Sequence, residues 1–261
     1  MIKTKVIGRV FRQDEIADQI YDMWIETELA QGARPGQFVC VYTKNAAALL
    51  PRPISICEVN KEKTMLRLVY RTVGTGTNEF ADYHAGTEIS LLGPLGNGFP
   101  VEKAAGKRVF LIGGGIGIPP MLQLSKEIKK AGQAYCELSV LGYRNELFLN
   151  TDLEKYSQVY VATEDGSAGT KGTVLDAIKE KGLSGDVIFA CGPMPMLRAI
   201  KEYAAANNME AYISLEEHMA CGVGACLGCV CKTKNVDAHS HVHNSRICTD
   251  GPVYNAEEVE I

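Results

Sequence analysis

The stretch Arg108-Val-Phe-Leu-Ile-Gly113-Gly-Gly115-Ile-Gly117-Ile-Pro-Pro120-Met121 decides how the middle of the chain folds. Residues 109–112 are a short apolar run of the kind that forms a buried strand. The glycines after it let the backbone turn tightly and lie close against a bound group. Pro119 and Pro120 suit the first turn of a helix, where a missing N–H costs little. A strand, a glycine turn and a helix N-terminus together make a site for a pyrophosphate, whose charge the helix end stabilises. Gly113, Gly114, Gly115 and Gly117 are its candidate contacts. The dinucleotide fingerprint G-x-G-x-x-G is not met, because Ile118 stands where its third glycine belongs.

Towards the C-terminus, apolar strand patterns alternate with helical ones. Helices are expected over residues 120–130, 174–181 and 194–205, and strands over 136–142, 159–162, 187–190 and 211–214. This alternation predicts an α/β domain with a parallel sheet over residues 101–213. Cys191-Gly192-Pro193-Met194 falls between a strand and a helix, and Thr163-Glu-Asp-Gly166 follows another strand. Both lie at the carboxyl ends of strands, where open α/β sheets bind ligands. Cys191 could instead be a small buried residue. The Gly-Pro-Met behind it favours the site reading. Arg144 follows the strand over 136–142 and is the one candidate contact for a 2′-phosphate. No second basic residue supports it, which points to NADH.

Towards the N-terminus the pattern changes to short β runs over 4–11, 20–27, 38–43, 54–59, 65–70 and 88–92. Turn signals such as Arg34-Pro-Gly-Gln37 and Gly93-Pro-Leu-Gly96 separate them. Residues 1–100 are therefore expected to form an antiparallel barrel or sandwich. Residues 13–17 fit either a short helix or a polar hairpin loop. Arg52-Pro53-Ile54-Ser55 is similar to the flavin-binding signature of the ferredoxin–NADP reductase superfamily. Arg52 offers a fork to a pyrophosphate, and Ser55 a hydroxyl to the isoalloxazine edge. Plant-type reductases usually carry Tyr where this chain has Pro53, so the packing of the flavin there is open. The run from Leu68 through Val69, Tyr70 and Arg71 to Gly76 and Thr77 leads from a strand into a Gly/Thr-rich turn that can supply phosphate donors. Tyr70 or Arg71 is expected to line the flavin or its diphosphate. The glycine loop at 113–117 likewise resembles that superfamily's pyridine-nucleotide loop, and Cys191–Met194 its motif beside the nicotinamide.

The last segment, residues 214–261, holds Cys221-Gly-Val-Gly-Ala-Cys226-Leu-Gly-Cys229 and, further on, Cys248. C-x4-C-x2-C with a distant fourth cysteine is the ligand spacing of a plant-type [2Fe–2S] cluster. Zinc ribbons pair two C-x2-C knuckles, and only one is present. Disulfides are not expected in a chain without a secretory signal. Cys231 fits no place in the spacing and reads as a buried neighbour of the cluster or a spare thiol. His239, His241 and His243 could bind a metal, but their polar surroundings favour a solvated loop.

Composition narrows the function classes. The 261 residues carry a net charge of -4, with no cluster of Lys and Arg, which argues against nucleic acid as a partner. No apolar run reaches the roughly 18 residues of a membrane helix. The start Met1-Ile-Lys-Thr-Lys-Val lacks a signal-peptide core, and nine cysteines then suggest cofactor chemistry in the cytoplasm.

Taken together, Arg52-Pro-Ile-Ser55, Gly113-Gly-Gly-Ile-Gly117, Cys191-Gly-Pro-Met194 and Met219-Ala-Cys-Gly-Val-Gly-Ala-Cys-Leu-Gly-Cys229 resemble, over essentially the full length, the electron-transfer subunits of class 1B, NAD-dependent dihydroorotate dehydrogenases. The resemblance implies FAD in the barrel, NAD in the second domain and a [2Fe–2S] cluster on Cys221, Cys226, Cys229 and Cys248. It also implies a separate FMN-containing catalytic subunit, two copies of each subunit, and electrons passing from that FMN through the cluster and FAD to NAD⁺ in pyrimidine biosynthesis. No catalytic residue is assigned, Cys191 being placed only near the nicotinamide. The rival within the superfamily is the NAD(P)H-oxidising subunit of a hydrogenase or ferredoxin-linked transhydrogenase. A non-catalytic iron–sulfur sensor and a self-contained flavin reductase are further alternatives, which the paired signatures and the cluster respectively disfavour.

Overall fold

The computed structural model describes residues 5–237 and 241–261. Its first part contains β1 (Lys5–Ala17), β2 (Ile20–Glu26), β3 (Phe38–Tyr42), β4 (Arg52–Val59), β5 (Met65–Arg71), α1 (Thr75–Ala81) and β6 (Glu88–Leu95). The six strands close into a barrel in the order β1-β2-β5-β4-β3-β6, with every neighbouring pair antiparallel. Alternate residues such as Val39, Val41, Ile56, Leu66, Leu68, Ile89 and Leu91 fill the interior. Outward residues Phe38, Cys40, Cys57, Val69, Leu92 and Leu95 pack against the rest of the chain.

Several details differ from the sequence expectation. Residues 13–17 extend β1, because the Gln13 amide donates to the carbonyls of Phe80, Ala81 and Tyr83 and so holds the strand against the barrel end. Gly93-Pro94 lies inside β6, and β4 begins at Arg52, so the whole Arg-Pro-Ile-Ser motif sits on a strand. The Gly/Thr-rich turn opens α1. Of the first expected strand, Thr4 lies outside the described residues.

The second part contains β7 (Arg108–Gly114), α2 (Pro119–Ala131), β8 (Cys136–Tyr143), α3 (Asn150–Leu153), β9 (Gln158–Thr163), β10 (Thr170–Lys171), α4 (Val174–Glu180), β11 (Val187–Cys191), α5 (Met194–Ala206) and β12 (Glu210–Ser214). The last part adds β13 (Val230–Lys232), β14 (Asn244–Arg246) and β15 (Val253–Asn255). A seven-stranded sheet runs β10-β9-β8-β7-β11-β12-β15. It is parallel except for β15, which pairs antiparallel with β12. On one face Phe110, Ile112, Ile188 and Ala190 pack against α4 and α5 through Ala177, Ile178, Leu197 and Ile200. On the other, Val109, Leu111, Val187 and Phe189 pack against Ile118, Met121, Leu122 and Ile128 of α2 and the residue before it.

The same two cores reach the barrel from both sides. Cys57 and Val69 join the α2 side, whereas Phe38, Cys40, Leu92 and Leu95 join Cys229, Ile247 and Cys248. Polar contacts fix the junctions. The Val59 N–H donates to Gln123 Oε1 on α2 at 2.8 Å, and Lys126 Nζ reaches Glu58 and the Val59 carbonyl at 2.8 Å each. Buried Arg67 meets Asp22 through Nε and Nη2 at 2.9 and 2.8 Å and Asp152 of α3 at 3.1 Å. At the other end the Asn97 amide bonds the backbone of Asp250 and Val253.

Candidate functional site

On β4 the alternation of a strand decides which side chains can meet a ligand on the barrel's outer face. Ile54 and Ile56 turn inward, so Pro53, Ser55 and Cys57 face outward, beside Val69 of β5. Arg52 lies at the rim, with Nη1 donating to the Leu50 carbonyl. Its guanidinium rests directly on Gly76, where any Cβ would collide with Nε and Cζ. The candidate pyrophosphate ligand and the start of α1 are thus in contact. Thr77 serves the loop itself: its Oγ1 accepts from Val73 and Gly74 N–H groups at 2.9 and 3.3 Å. Of the pair Tyr70 and Arg71, Tyr70 faces the barrel interior. It is 2% exposed, bonded through its hydroxyl to Gln13 at 2.9 Å and stacked on Tyr21. Val69 and Arg71, on the opposite side of β5, remain on the outward face.

The glycine loop after β7 and the Cys191 loop after β11 lie against each other. Gly113 is the register partner of Cys191. A Cβ on Gly117 would run into the Cys191 carbonyl and the Gly192 nitrogen, so only glycine lets the two loops close. Gly114 and Gly192 both press on the Met196 side chain at the start of α5. Pro193 caps that helix and Met194 is its first residue. Ile118, in place of the third fingerprint glycine, is fully buried under the loop. Cys191 itself is 1% exposed. Burial, with the Glu216 carboxylate adding to it against a hydrogen bond from Ser214, holds its thiol far above the ordinary range. It is therefore a neutral packing residue, not a nucleophile. Glu216 was not singled out from sequence. It stands open to solvent just beyond β12, with its carboxyl raised by desolvation. Its place two residues after a strand's carboxyl end was the available signal.

The four spaced cysteines come together as two pairs. The Cys221 and Cys226 side chains are in contact, as are those of Cys229 and Cys248. Backbone donors surround them. Desolvation would raise the Cys221 thiol, but N–H groups of Val223, Cys226 and Ala225 outweigh it and bring it down to about 7. Gly228 N–H donates to Cys226 Sγ at 3.4 Å, and Val223 N–H to Cys221 Sγ at 3.5 Å. Burial, with Cys229 beside it, raises Cys248 to about 12. Among the described residues no group of three or more His, Cys, Asp or Glu gathers as one metal ion requires. Two thiol pairs ringed by N–H donors instead suit a dinuclear cluster, with two thiolates for each iron. The donor set fits the [2Fe–2S] group.

Cys231, on β13, contacts the Tyr254 hydroxyl, which also bonds Ser245 Oγ at 3.0 Å. It ties the hairpin β13–β14 to β15 and takes no place in either pair. His243 Nδ1 lies 2.9 Å from the Lys234 carbonyl, His241 is exposed, and His239 lies outside the described residues.

One residue joins the parts. Cys40 on β3 is the register partner of Pro53 on β4, and its Sγ is 2.9 Å from the Cβ position of Gly222 in the cysteine loop. Adjacent antiparallel residues lie about 5 Å apart. The cysteine loop therefore abuts the strand pair that carries Arg52–Ser55. Burial, with Cys221 and Cys229 nearby, raises the Cys40 thiol to about 12.

Comparison with known proteins agrees with this geometry. The family described as the iron-sulfur cluster binding domain of dihydroorotate dehydrogenase B matches residues 216–260, and the oxidoreductase NAD-binding domain matches residues 111–202. The dihydroorotate dehydrogenase B (NAD(+)) electron transfer subunit of Geobacillus sp. (strain WCH70) is 42% identical over 96% of both chains. That of Bacillus velezensis is 44% identical over 95% of both. The solved structure of an NADH-dependent reduced ferredoxin-NADP oxidoreductase, studied for flavin-based electron bifurcation, superposes with a TM-score of 0.87 at 29% identity, covering 98% of this chain and 90% of that one.

Proposed function

Since the chain belongs to the family of dihydroorotate dehydrogenase B (NAD(+)) electron transfer subunits, we propose a division of labour among its residues in carrying electrons between a catalytic partner subunit and NAD. Arg52 and the backbone at Gly76 and Thr77 hold the FAD pyrophosphate, with Pro53, Ser55, Val69 and Arg71 along the isoalloxazine face and Ile54 offering only its backbone there. Gly113, Gly114, Gly115 and Gly117, with Cys191, Gly192, Pro193 and Met194, form the NAD cleft. Cys221, Cys226, Cys229 and Cys248 hold the [2Fe–2S] cluster. Residues 1–100, 101–213 and 214–261 are the corresponding units. When bound, the flavin supplies the exchange between two-electron hydride chemistry and the single electrons that a cluster carries.

The contact of Cys40 with both Pro53 and Gly222 carries this reading, because it brings the flavin strand and the cluster loop side by side. The partner holds FMN and the dihydroorotate site, two copies of each subunit assemble, and the complex works in the cytoplasm in pyrimidine biosynthesis. Electrons cross to the partner at the cysteine loop. There Cys226 is exposed, and Val223 and Leu227 are apolar side chains left 43% and 49% open. Among the described residues no helix is long and apolar enough to cross a membrane. For the dinucleotide, Glu164 and Asp165 at the end of β9 adjoin Arg144, whose carbonyl accepts the Asp165 N–H. Carboxylates there favour a ribose hydroxyl over a 2′-phosphate.

Co-purification with the catalytic partner tests the proposal. The complex should reduce NAD⁺ with dihydroorotate, lose that activity in Cys226→Ser, and prefer NADH to NADPH in dye reduction. A complex that oxidises NADH with dyes but ignores dihydroorotate would contradict the partner assignment.

A further inference from the structure

Beside the cysteine loop stand two opposite charges that serve neither the electron path nor the domain junctions. Arg246, the last residue of β14, meets Asp250 through Nε at 3.0 Å and Nη2 at 3.2 Å. Asp250 also accepts the Arg246 N–H at 3.0 Å and the Thr249 hydroxyl at 3.1 Å. The Arg246 carbonyl in turn receives the N–H groups of Thr249, Asp250 and Gly251. These bonds close a turn around Cys248.

The remaining corner of the guanidinium, Nη1, lies 3.5 Å from the Cβ position of Gly224, which has a φ of +81°. Gly224 lies between Cys221 and Cys226 in the cysteine loop, and Arg246 stands two residues before Cys248. The guanidinium therefore lies against the loop that carries Cys221 and Cys226 and close in sequence to Cys248. The side chains of Arg246 and Asp250 are only 19% and 32% exposed, so water screens them incompletely.

We propose that Arg246 and Asp250 form an opposed charge pair that sets the reduction potential of the cluster. This rests on the assignment of the four cysteines as its ligands. Adding an electron to a four-thiolate cluster deepens a negative charge, so a nearby guanidinium favours the reduced form and a nearby carboxylate opposes it. With both present the two effects oppose each other. Arg246→Gln leaves the carboxylate alone and moves the potential to more negative values. Asp250→Asn removes the carboxylate bonded to the guanidinium, leaving the weaker influence of Asp237 on it, and moves the potential to more positive values. The double variant returns towards the parent.

The test is a redox titration, followed by electron paramagnetic resonance, of the intact complex with its catalytic partner. Parent, Arg246→Gln, Asp250→Asn and the double variant are compared, with iron content measured for each. Shifts of opposite sign at unchanged iron content are expected. Shifts of the same sign, no shift, or loss of iron from both single variants would make the pair a structural clamp and overturn the proposal. If Arg246→Gln alone loses iron, the sign of the Asp250→Asn shift decides. A parent complex with no cluster signal would refute the cysteine assignment itself.

Discussion

At Gly76 and Gly117 single hydrogen atoms hold sites open. Alanine at Gly76 meets the far end of the Arg52 side chain, which can swing aside. Gly76→Ala should therefore fold normally but retain FAD at least tenfold more weakly, measured by flavin released on dilution. Gly117→Ala instead meets the Cys191–Gly192 backbone, which has nowhere to go. NADH-dependent dye reduction should fall about a hundredfold, the scale of a misplaced positioning group, with FAD still bound. Activity within twofold of the parent would show that the two loops can part without consequence. The spaced cysteines and the strand, glycine turn and helix over 108–131 were legible in sequence because their patterns are local. Tyr70 was not, because both faces of β5 are buried: Val69 is 3% exposed and Tyr70 2%. Periodicity reveals that neighbours face opposite ways, but not which way is in. Arg246 escaped for another reason, since its contact with Gly224 spans two loops.

Strands and helices with strong patterns were read to within a few residues, α2 and α5 among them. The short elements α1, α3, β10 and β15 were not. Each depends on what lies beside it, as β15 depends on the free edge of β12. Within β8 a carboxylate has been set against the core. Desolvation raises Glu137 to about 7, although Ser125 donates to it at 3.2 Å. Its folded value lies above the unfolded 4.5. Its contribution to stability is thus full below about 4.5 and is lost as pH rises through about 7. Glu137→Gln should remove that dependence. Thermal melts between pH 5 and 8 should fall more steeply for the parent, and the variant should be the more stable at pH 8 by about 1 kcal/mol after allowance for solvent screening. Parallel melting curves would contradict this.

The order of the three parts along the chain was legible, but their mutual docking was not, because it rests on contacts between residues far apart in sequence. Arg67 is the clearest case, joining Asp22 within the barrel to Asp152 of the sheet domain. Removing Asp22 takes away the partner that holds this buried guanidinium through two bonds, leaving Asp152 and Glu58 at 3.1 and 3.3 Å. Asp22→Asn should cost about 1.5–3 kcal/mol in denaturant unfolding of the holoprotein, the scale of lost hydrogen bonds to a charged group, and no measurable loss would show the network to be dispensable. This docking places Cys40 between the flavin strand and the cysteine loop. The first measurement to make is anaerobic addition of NADH to the holoprotein, with flavin absorbance and the paramagnetic signal of the reduced cluster followed together. Flavin bleaching accompanied by the cluster signal is expected. Flavin bleaching with a silent cluster that dithionite can still reduce would contradict the contiguous path from NAD cleft to cysteine loop.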